Sequence, residues 1–264
     1  MQNRTITVTT GLKARDEYVA QAKQYAAEIG GVYVERRKRG LGKMQEIYGD
    51  PLLVVSERVK LHIGEEEFFF HPSMANTRIK RLTSGDNDIV IEYSDARPGD
   101  VILDCTLGLG SDSIVFAHVA GESGRVIGIE SSNVIAYLVK RGLQEVTVDV
   151  KAVNAAMRRV EVICADHLDY MRTLPDRSVD IVYFDPMFRR TVEKSHAIEP
   201  MRVLGDDRPI TAAAIAEAKR VARRRIVMKE RWYSKEFERL GFKLLRKSSG
   251  STNYGVIDLE GAGR

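Results

Sequence analysis

The first candidate site is a glycine-containing turn that follows an apolar run. Residues 101–113 read VILDCTLGLGSDS, in which an apolar run leads to Gly108 and Gly110 and then to a helix-like segment. The two glycines allow a tight turn and a close approach of the backbone to a ligand, with a helix N-terminus behind the turn. An ordinary strand–helix turn can have the same pattern, so the turn alone defines no chemistry.

Polar residues end the next two apolar runs as well. Glu130 ends the run 125–130, 20 residues after Gly110, where a carboxylate can accept both hydroxyls of a ribose. A site for NAD would have the same carboxylate. Two features argue against NAD: Asp104 already ends the first run, and Ser113 stands where the GxGxxG motif has its third glycine. In the third run, CADH, Asp166 is placed to accept from an adenine amino group; the alternative is a helix N-cap.

The run IVYFDPMF at residues 181–188 is the most informative. It predicts a pocket with a carboxylate at Asp185, a fixed carbonyl at Pro186 and a stacking ring at Phe188. The alternative is a proline that ends a strand beside a core phenylalanine.

Over residues 98–259 the chain resembles class I S-adenosylmethionine-dependent methyltransferases. The motifs that carry the resemblance are DCTLGLGSDS, IES, CADH, DPMF, EPMR and IVMKER. More closely, they resemble the small-subunit ribosomal RNA guanine-N2 methyltransferases. The resemblance implies S-adenosylmethionine (SAM) as cofactor and S-adenosylhomocysteine as product. The residues predicted to hold the cofactor are Asp104, Thr106, Gly108, Gly110, Ser111, Asp112, Glu130, Ser131, Asp166, His167 and Asp185.

The predicted catalytic residues are Asp185, Pro186 and Phe188. An exocyclic base amine is a poor nucleophile, because its lone pair is delocalised into the ring. Hydrogen bonds to the Asp185 carboxylate and the Pro186 carbonyl would turn that lone pair toward the methyl group, while Phe188 stacks on the unstacked base. Two alternatives stay open: a methyltransferase that acts on a protein or small molecule, and a cofactor-binding relative without activity.

The chain departs from the resembled family at three places. Ser111 and Arg189 stand where the family usually has Arg and Pro, and FFFHPSMA at 68–75 stands where it has a glycine-rich stretch.

The charge distribution is asymmetric and favours an RNA partner. Residues 186–264 carry 18 basic and 10 acidic side chains, net +8, against net −4 for residues 101–185. Basic residues within 186–231 and 36–43 are predicted to contact phosphates. They are Arg189, Arg190, Lys194, Arg202, Arg220, Arg223, Arg224, Arg225, Lys229 and Arg231, with Arg36, Arg37, Lys38, Arg39 and Lys43. Trp232 and Tyr233 are interpreted as core residues at a helix start rather than as base-stacking residues.

Alternating apolar runs and amphipathic segments predict an α/β fold, a doubly wound, mostly parallel sheet of seven strands that ends in an antiparallel hairpin. The predicted strands are 101–105, 125–130, 160–164, 179–185, 225–229, 242–245 and 254–259. We expect this methyltransferase domain at 98–264, after a small α+β substrate-recognition appendage at 1–97. The boundary lies at Pro98-Gly99.

Composition excludes several classes of protein. The 264 residues are 44% hydrophobic and 30% charged, which is typical of a globular chain rather than a disordered one. Without a run of about 18 apolar residues or a secretory leader, we expect a cytoplasmic protein with no membrane contact. Cys105 and Cys164 lie in apolar runs and predict buried thiols rather than a metal site. The sequence predicts no oligomeric state.

Overall fold

The computed structural model describes residues 5–186, 204–206, 208–246 and 252–259. The described residues divide into two compact units: the first contains residues 5–70 and 204, and the second contains the other described residues from 71 onward. Residues 71–97, which were predicted to belong to the appendage, therefore fall in the second unit. A substrate-recognition role for residues 1–97 stays a prediction.

The first unit contains a five-stranded sheet of order β2-β1-β3-β4-β5. Strands β1, β2 and β3 are parallel, whereas β4 and β5 continue as an antiparallel meander. Its elements in the described residues are β1 (Thr7–Thr10), α1 (Asp16–Ile29), β2 (Val32–Tyr33), α2 (Leu41–Tyr48), β3 (Leu52–Val55), β4 (Lys60–Ile63) and β5 (Glu66–Phe68).

Helix α1 shows why this unit has a core. Ala22, Tyr25, Ala26 and Ile29 recur at helical spacing and are buried, so one face of the helix packs against the sheet. The helix ends where Gly30 adopts a left-handed φ of 68°. Helix α2 was not predicted, because Met44 is its one buried residue among those described and leaves no periodic apolar signal.

The second unit begins with α3 (Ser73–Thr83) and α4 (Ile89–Ser94). The strands and helices that follow are β6 (Val101–Asp104), α5 (Ser111–Ala120), β7 (Arg125–Glu130), α6 (Asn133–Glu145), α7 (Lys151–Arg159), β8 (Val160–Cys164), α8 (His167–Thr173), β9 (Val179–Phe184), α9 (Ala212–Val221), β10 (Ala222–Arg231), α10 (Glu236–Leu240), β11 (Lys243–Arg246) and β12 (Thr252–Asp258).

These strands form the predicted seven-stranded sheet, in the order β11-β12-β10-β9-β6-β7-β8. Strands β8, β7, β6, β9 and β10 are parallel, and β12 runs antiparallel between β10 and β11. The α/β fold class and the terminal antiparallel hairpin are therefore confirmed. Because the five parallel strands share one direction, their carboxyl ends meet at one edge, the usual ligand edge of such sheets.

Strand β10 differs most from its prediction. It was predicted at 225–229, whereas in the structure it begins at Ala222 and runs to Arg231. Ala222 already pairs with Val179 of β9, and the register shifts between this pair and the next one, Arg225 with Ile181. Within the described residues no helix combines the length and apolarity that a membrane crossing requires.

Candidate active site

The turn after β6 is built around the buried Asp104. Its Oδ1 accepts the Thr106 backbone N–H at 3.0 Å, and its Oδ2 accepts the Ser113 hydroxyl at 2.6 Å. Burial raises the pKa of Asp104 to about 7, although both hydrogen bonds oppose the shift. The Asp104 carboxylate therefore stabilises the turn through Thr106 and connects it to α5 through Ser113.

Gly108 and Gly110 adopt left-handed φ values of 50° and 75°, which residues with a Cβ rarely adopt. Between β6 and these glycines, the Leu107 N–H donates to the Ile129 carbonyl at 2.9 Å. The Leu107 side chain lies against Gly128, and only glycine leaves room for it, since a Cβ at residue 128 would lie 2.4 Å from Leu107 Cδ1. The glycine turn is thus packed directly on β7.

Glu130, at the carboxyl end of β7, is held by backbone groups. Its Oε2 accepts the Gly108 N–H at 3.3 Å, and its Oε1 accepts the Ser132 N–H at 2.8 Å. Burial raises the pKa of Glu130 above its ordinary value. The structure thus brings the predicted ribose-binding carboxylate to the glycine turn, with the half-buried Ser131 next to it.

Asp166 and His167 lie at the end of β8. Asp166 caps α8, because its Oδ1 accepts the N–H groups of Leu168 and Asp169 at 2.9 and 3.2 Å. Its Oδ2 accepts from Arg208 at 2.7 Å. Burial would raise the pKa of Asp166, but the bond from Arg208 and the cap hold it below its ordinary value. The helix-cap interpretation is therefore confirmed, and ligand binding by the same carboxylate stays a prediction.

The His167 ring packs edge-on against Phe184, with centroids 5.9 Å apart. Burial lowers the pKa of His167, so the ring is neutral near pH 7.

Asp185 follows β9, and hydrogen bonds hold both its backbone N–H and its carboxylate. Its backbone N–H donates to Thr106 Oγ1 at 2.6 Å, and its Oδ2 accepts from Lys229 Nζ at 2.6 Å. Burial raises the pKa of Asp185 to about 6, against the opposing charge of Lys229. Pro186 comes next, and the predicted stacking residue Phe188 lies outside the described residues.

Asp112, in the first turn of α5 after the half-buried Ser111, is the centre of a second group of contacts. It forms an ion pair with Arg78, accepts the Tyr183 hydroxyl at 2.8 Å and lies 3.7 Å from Lys229 Nζ. Burial would raise its pKa, but the charges of Lys229 and Arg78 lower it. Asp112 was predicted to bind the cofactor, and the structure places it within this charged network.

Arg78 was not predicted as a site residue, and Lys229 was predicted only as a phosphate contact, whereas the structure pairs it with Asp185 and Asp112. Arg78 comes from α3 and also binds both oxygens of Asp88, each at 2.7 Å. No motif marks Arg78. Lys229 had a signal: it follows the apolar run IVM of β10, level with the end of β9, where Met228 pairs with Phe184.

The basic residues around β10 correct one expectation. Arg220 and the cluster 223–225 lie at the amino end of β10, away from the ligand edge. They are paired internally: Arg220 with Asp176, Arg223 with Asp180, Arg224 with Asp100 and Arg225 with Asp258. Their predicted position near the carboxyl ends is therefore wrong, whereas a contact of these residues with RNA stays a prediction. Arg189, Arg190, Lys194 and Arg202 lie outside the described residues.

The residues at this edge fit SAM. The left-handed glycines leave the turn without side chains at Gly108 and Gly110, and Glu130 is oriented by the turn itself. Asp166, with 28% of its side chain exposed, lies after the neighbouring strand, where it can accept hydrogen bonds from a purine. No group of three or more His, Cys, Asp and Glu side chains suited to a metal ion occurs among the described residues. Cys164 is exposed, contrary to its prediction.

A seven-stranded sheet with this order, with acidic residues at the ends of β6, β7, β8 and β9, is the architecture of class I methyltransferases. The family model of SAM-dependent methyltransferases matches residues 52–244. The chain therefore belongs to the SAM-dependent methyltransferase family and uses SAM as its cofactor.

Relatives of the chain include two groups of curated proteins. The uncharacterized protein YpiP of Bacillus subtilis (strain 168) is 38% identical over 252 residues, which cover 95% of this chain and 98% of YpiP. The ribosomal RNA small subunit methyltransferases J of Laribacter hongkongensis and Ectopseudomonas mendocina are 34% and 31% identical. These two matches cover 48% and 61% of this chain, and 45% and 62% of the enzymes' own length.

Among solved structures, a SAM-dependent methyltransferase from Neisseria gonorrhoeae superposes with a TM-score of 0.64. The superposition covers 98% of both chains at 17% sequence identity. At this identity, the similarity shows a shared fold.

Proposed function

We propose that this methyltransferase modifies an exocyclic amine of a nucleobase in RNA, and specifically guanine N2 of small-subunit ribosomal RNA. The observation that carries the proposal is the position of Asp185. Its backbone is bonded to the cofactor turn through Thr106, and one carboxylate oxygen is bonded to Lys229. An acceptor for an amine hydrogen therefore stands next to the proposed cofactor site.

Bound SAM supplies a methyl group that is already electrophilic, so the protein's task is to orient the amine and to receive its proton. Within the described residues, Oδ1 of Asp185 accepts no hydrogen bond and is left for the amine, since Lys229 occupies Oδ2. The Pro186 carbonyl would accept the second amine hydrogen. As the nitrogen gains the methyl group it becomes positively charged, and a carboxylate with a pKa of about 6 can take up the released proton.

The names of the relatives support the choice of acceptor. Both rRNA small subunit methyltransferases J align with the chain, although over 45% and 62% of their own length. A ribosomal RNA substrate would place the protein in the cytoplasm.

The basic turn at 36–43 supports an RNA partner in part. Arg36 is buried, and its guanidinium donates to the carbonyls of Arg39 and Thr10 at 2.9 and 3.2 Å, so it holds the turn rather than a phosphate. Arg37 and Lys38 are exposed, with φ values of 47° and 61°. Lys43 is also exposed, beside Glu46. We assign the phosphate contacts of this turn to Arg37, Lys38 and Lys43.

The proposal is tested by methyl incorporation from radiolabelled SAM. Candidate acceptors are small-subunit ribosomal RNA made without modifications, the same RNA in assembled particles, and a mixture of protein and small-molecule extracts. We expect incorporation into RNA, with the label released as N2-methylguanosine after digestion. Label in protein or small molecules, or SAM binding with no transfer to any acceptor, would refute the RNA assignment.

A further inference from the structure

Two large aromatic side chains lie on the surface directly after β10. Trp232 is 59% exposed and Tyr233 is 51% exposed, and their rings meet edge to face with centroids 5.6 Å apart. The sequence pattern predicted core packing for this pair, and the exposure of both rings shows that prediction to be wrong. Exposed aromatic clusters commonly mark a contact surface, because their burial by a partner is favourable.

The pair follows the strand that carries Lys229. Strands β9 and β10 are parallel, and Lys229 is hydrogen-bonded to Asp185 at the carboxyl edge of the sheet. Trp232 lies three residues beyond Lys229, which places it at most about 10 Å further along the chain at 3.3 Å per residue. The aromatic pair is therefore close enough to the proposed acceptor site to contact neighbouring nucleotides.

We propose that Trp232 and Tyr233 form a stacking platform for bases of single-stranded RNA next to the target nucleotide. This inference rests on the proposed function and deepens it. Every base has a flat face that stacks on an aromatic ring, so such a platform holds RNA without reading its sequence. In the sequence, Arg231 precedes the pair and Ser234 and Lys235 follow it, and the two basic residues suit a strand with phosphates on either side of each base.

The chain provides its own reporter, because Trp232 is its only tryptophan. The full-length protein with S-adenosylhomocysteine is titrated with a single-stranded RNA oligonucleotide, and tryptophan fluorescence is followed. A base stacked on the indole ring quenches it, so we expect saturable quenching that weakens as salt rises. RNA binding seen by anisotropy of a labelled oligonucleotide, with no change in tryptophan fluorescence, would overturn the inference.

Two variants separate stacking from general apolar contact. Trp232→Phe keeps an aromatic face, whereas Trp232→Leu keeps only an apolar side chain. We expect Trp232→Leu to weaken RNA binding about 10-fold and Trp232→Phe to stay within about 3-fold of wild type. Equal affinity of the two variants would overturn the inference. So would a tryptophan signal that depends on protein concentration alone, since a second copy of the chain would then cover the pair.

Turnover distinguishes this inference from the proposed function. We expect Trp232→Leu to raise the KM for RNA about 10-fold with little change in kcat. If wild type methylates RNA and the variant has an unchanged KM, the platform is wrong and the proposed function stands. If wild type methylates no RNA, the proposed function fails, and the fluorescence titration alone decides whether the aromatic pair binds RNA.

Discussion

Lys229 Nζ donates a hydrogen bond to Asp185 Oδ2 over 2.6 Å and lies 3.7 Å from Asp112 Oδ2. Lys229 on β10 therefore forms ion pairs with both the carboxylate that follows β9 and the carboxylate in the first turn of α5. Burial alone would lower the pKa of Lys229, but the charges of Asp185 and Asp112 raise it above its ordinary value. Lys229 thus stays charged and keeps Asp185 ionised at neutral pH.

Replacing Lys229 with Met should shift the acid limb of the pH–rate profile. Asp185 must be ionised to accept the amine hydrogen, so wild-type methyl transfer should fall as pH falls through about 6. Loss of the lysine charge raises the pKa of Asp185 further, which moves the limb to higher pH by about one unit. The measurement is kcat from pH 5 to 9.

Lys229→Arg is the matched control for that profile, because it keeps the charge. We expect its acid limb close to that of wild type, whereas Lys229→Met should recover activity as pH rises toward 9. A Lys229→Met profile with the wild-type midpoint would show that the lysine does not control the ionisation of Asp185.

Arg78 should be important for folding, because it joins α3 to two buried carboxylates. Its side chain is 15% exposed, and those of Asp88 and Asp112 are 9% and 12% exposed. Arg78→Met leaves both carboxylates without this partner, which costs about 3–5 kcal/mol. We expect thermal unfolding to show a drop in Tm of about 10 °C.

Arg81 on the same helix gives the comparison. It pairs with Asp86 on the surface, where the two side chains are 61% and 58% exposed. Such pairs contribute about 0–1 kcal/mol. Arg81→Met should therefore leave Tm nearly unchanged, and equal effects of the two substitutions would contradict the role assigned to Arg78.

Glu130→Gln should weaken cofactor binding. The amide can still accept one backbone N–H, but it loses the charge and one of two acceptor oxygens offered to ribose hydroxyls. We expect the Kd for SAM, measured by calorimetry, to rise about 10-fold or more, since charged hydrogen bonds contribute about 1.5–3 kcal/mol.

The control for this substitution is Glu161→Gln on β8. Glu161 is exposed and pairs with Arg125 at 2.6 Å, so the Kd for SAM should not change. If the Glu130→Gln variant bound SAM with an unchanged Kd, Glu130 would not be the residue that binds the ribose.

The sequence predicted the parallel sheet and the residues at its strand ends for one physical reason. Strands buried on both faces are apolar throughout, so the polar residue that ends each run, such as Glu130 or Asp185, stands out. The Asp166 cap was also visible, because an acid directly before a helix is a local signal. These features depend on neighbours in sequence.

Contacts between distant segments could not be predicted in the same way. Arg78 lies 34 residues before Asp112, in a helix that no motif marks. The positions predicted for Arg220, Arg224 and Arg225 were wrong, because clustering of basic residues in the sequence does not show at which end of a strand they lie. Residues at the start of a parallel strand lie at the edge opposite to the ligand. Trp232 was misjudged because burial depends on what packs around a residue, which local pattern does not show.

Asp185→Ala tests the central claim most directly, with methyl transfer to unmodified ribosomal RNA and SAM affinity measured on the same preparation. The substitution removes the acceptor for the amine hydrogen and leaves Glu130 and the glycine turn in place. At saturating SAM we predict a fall in kcat of about 100-fold or more, beyond any rise in the Kd for SAM that follows from the loss of the predicted contact between Asp185 and the cofactor. Full methyl transfer by Asp185→Ala at unchanged SAM affinity would contradict the account.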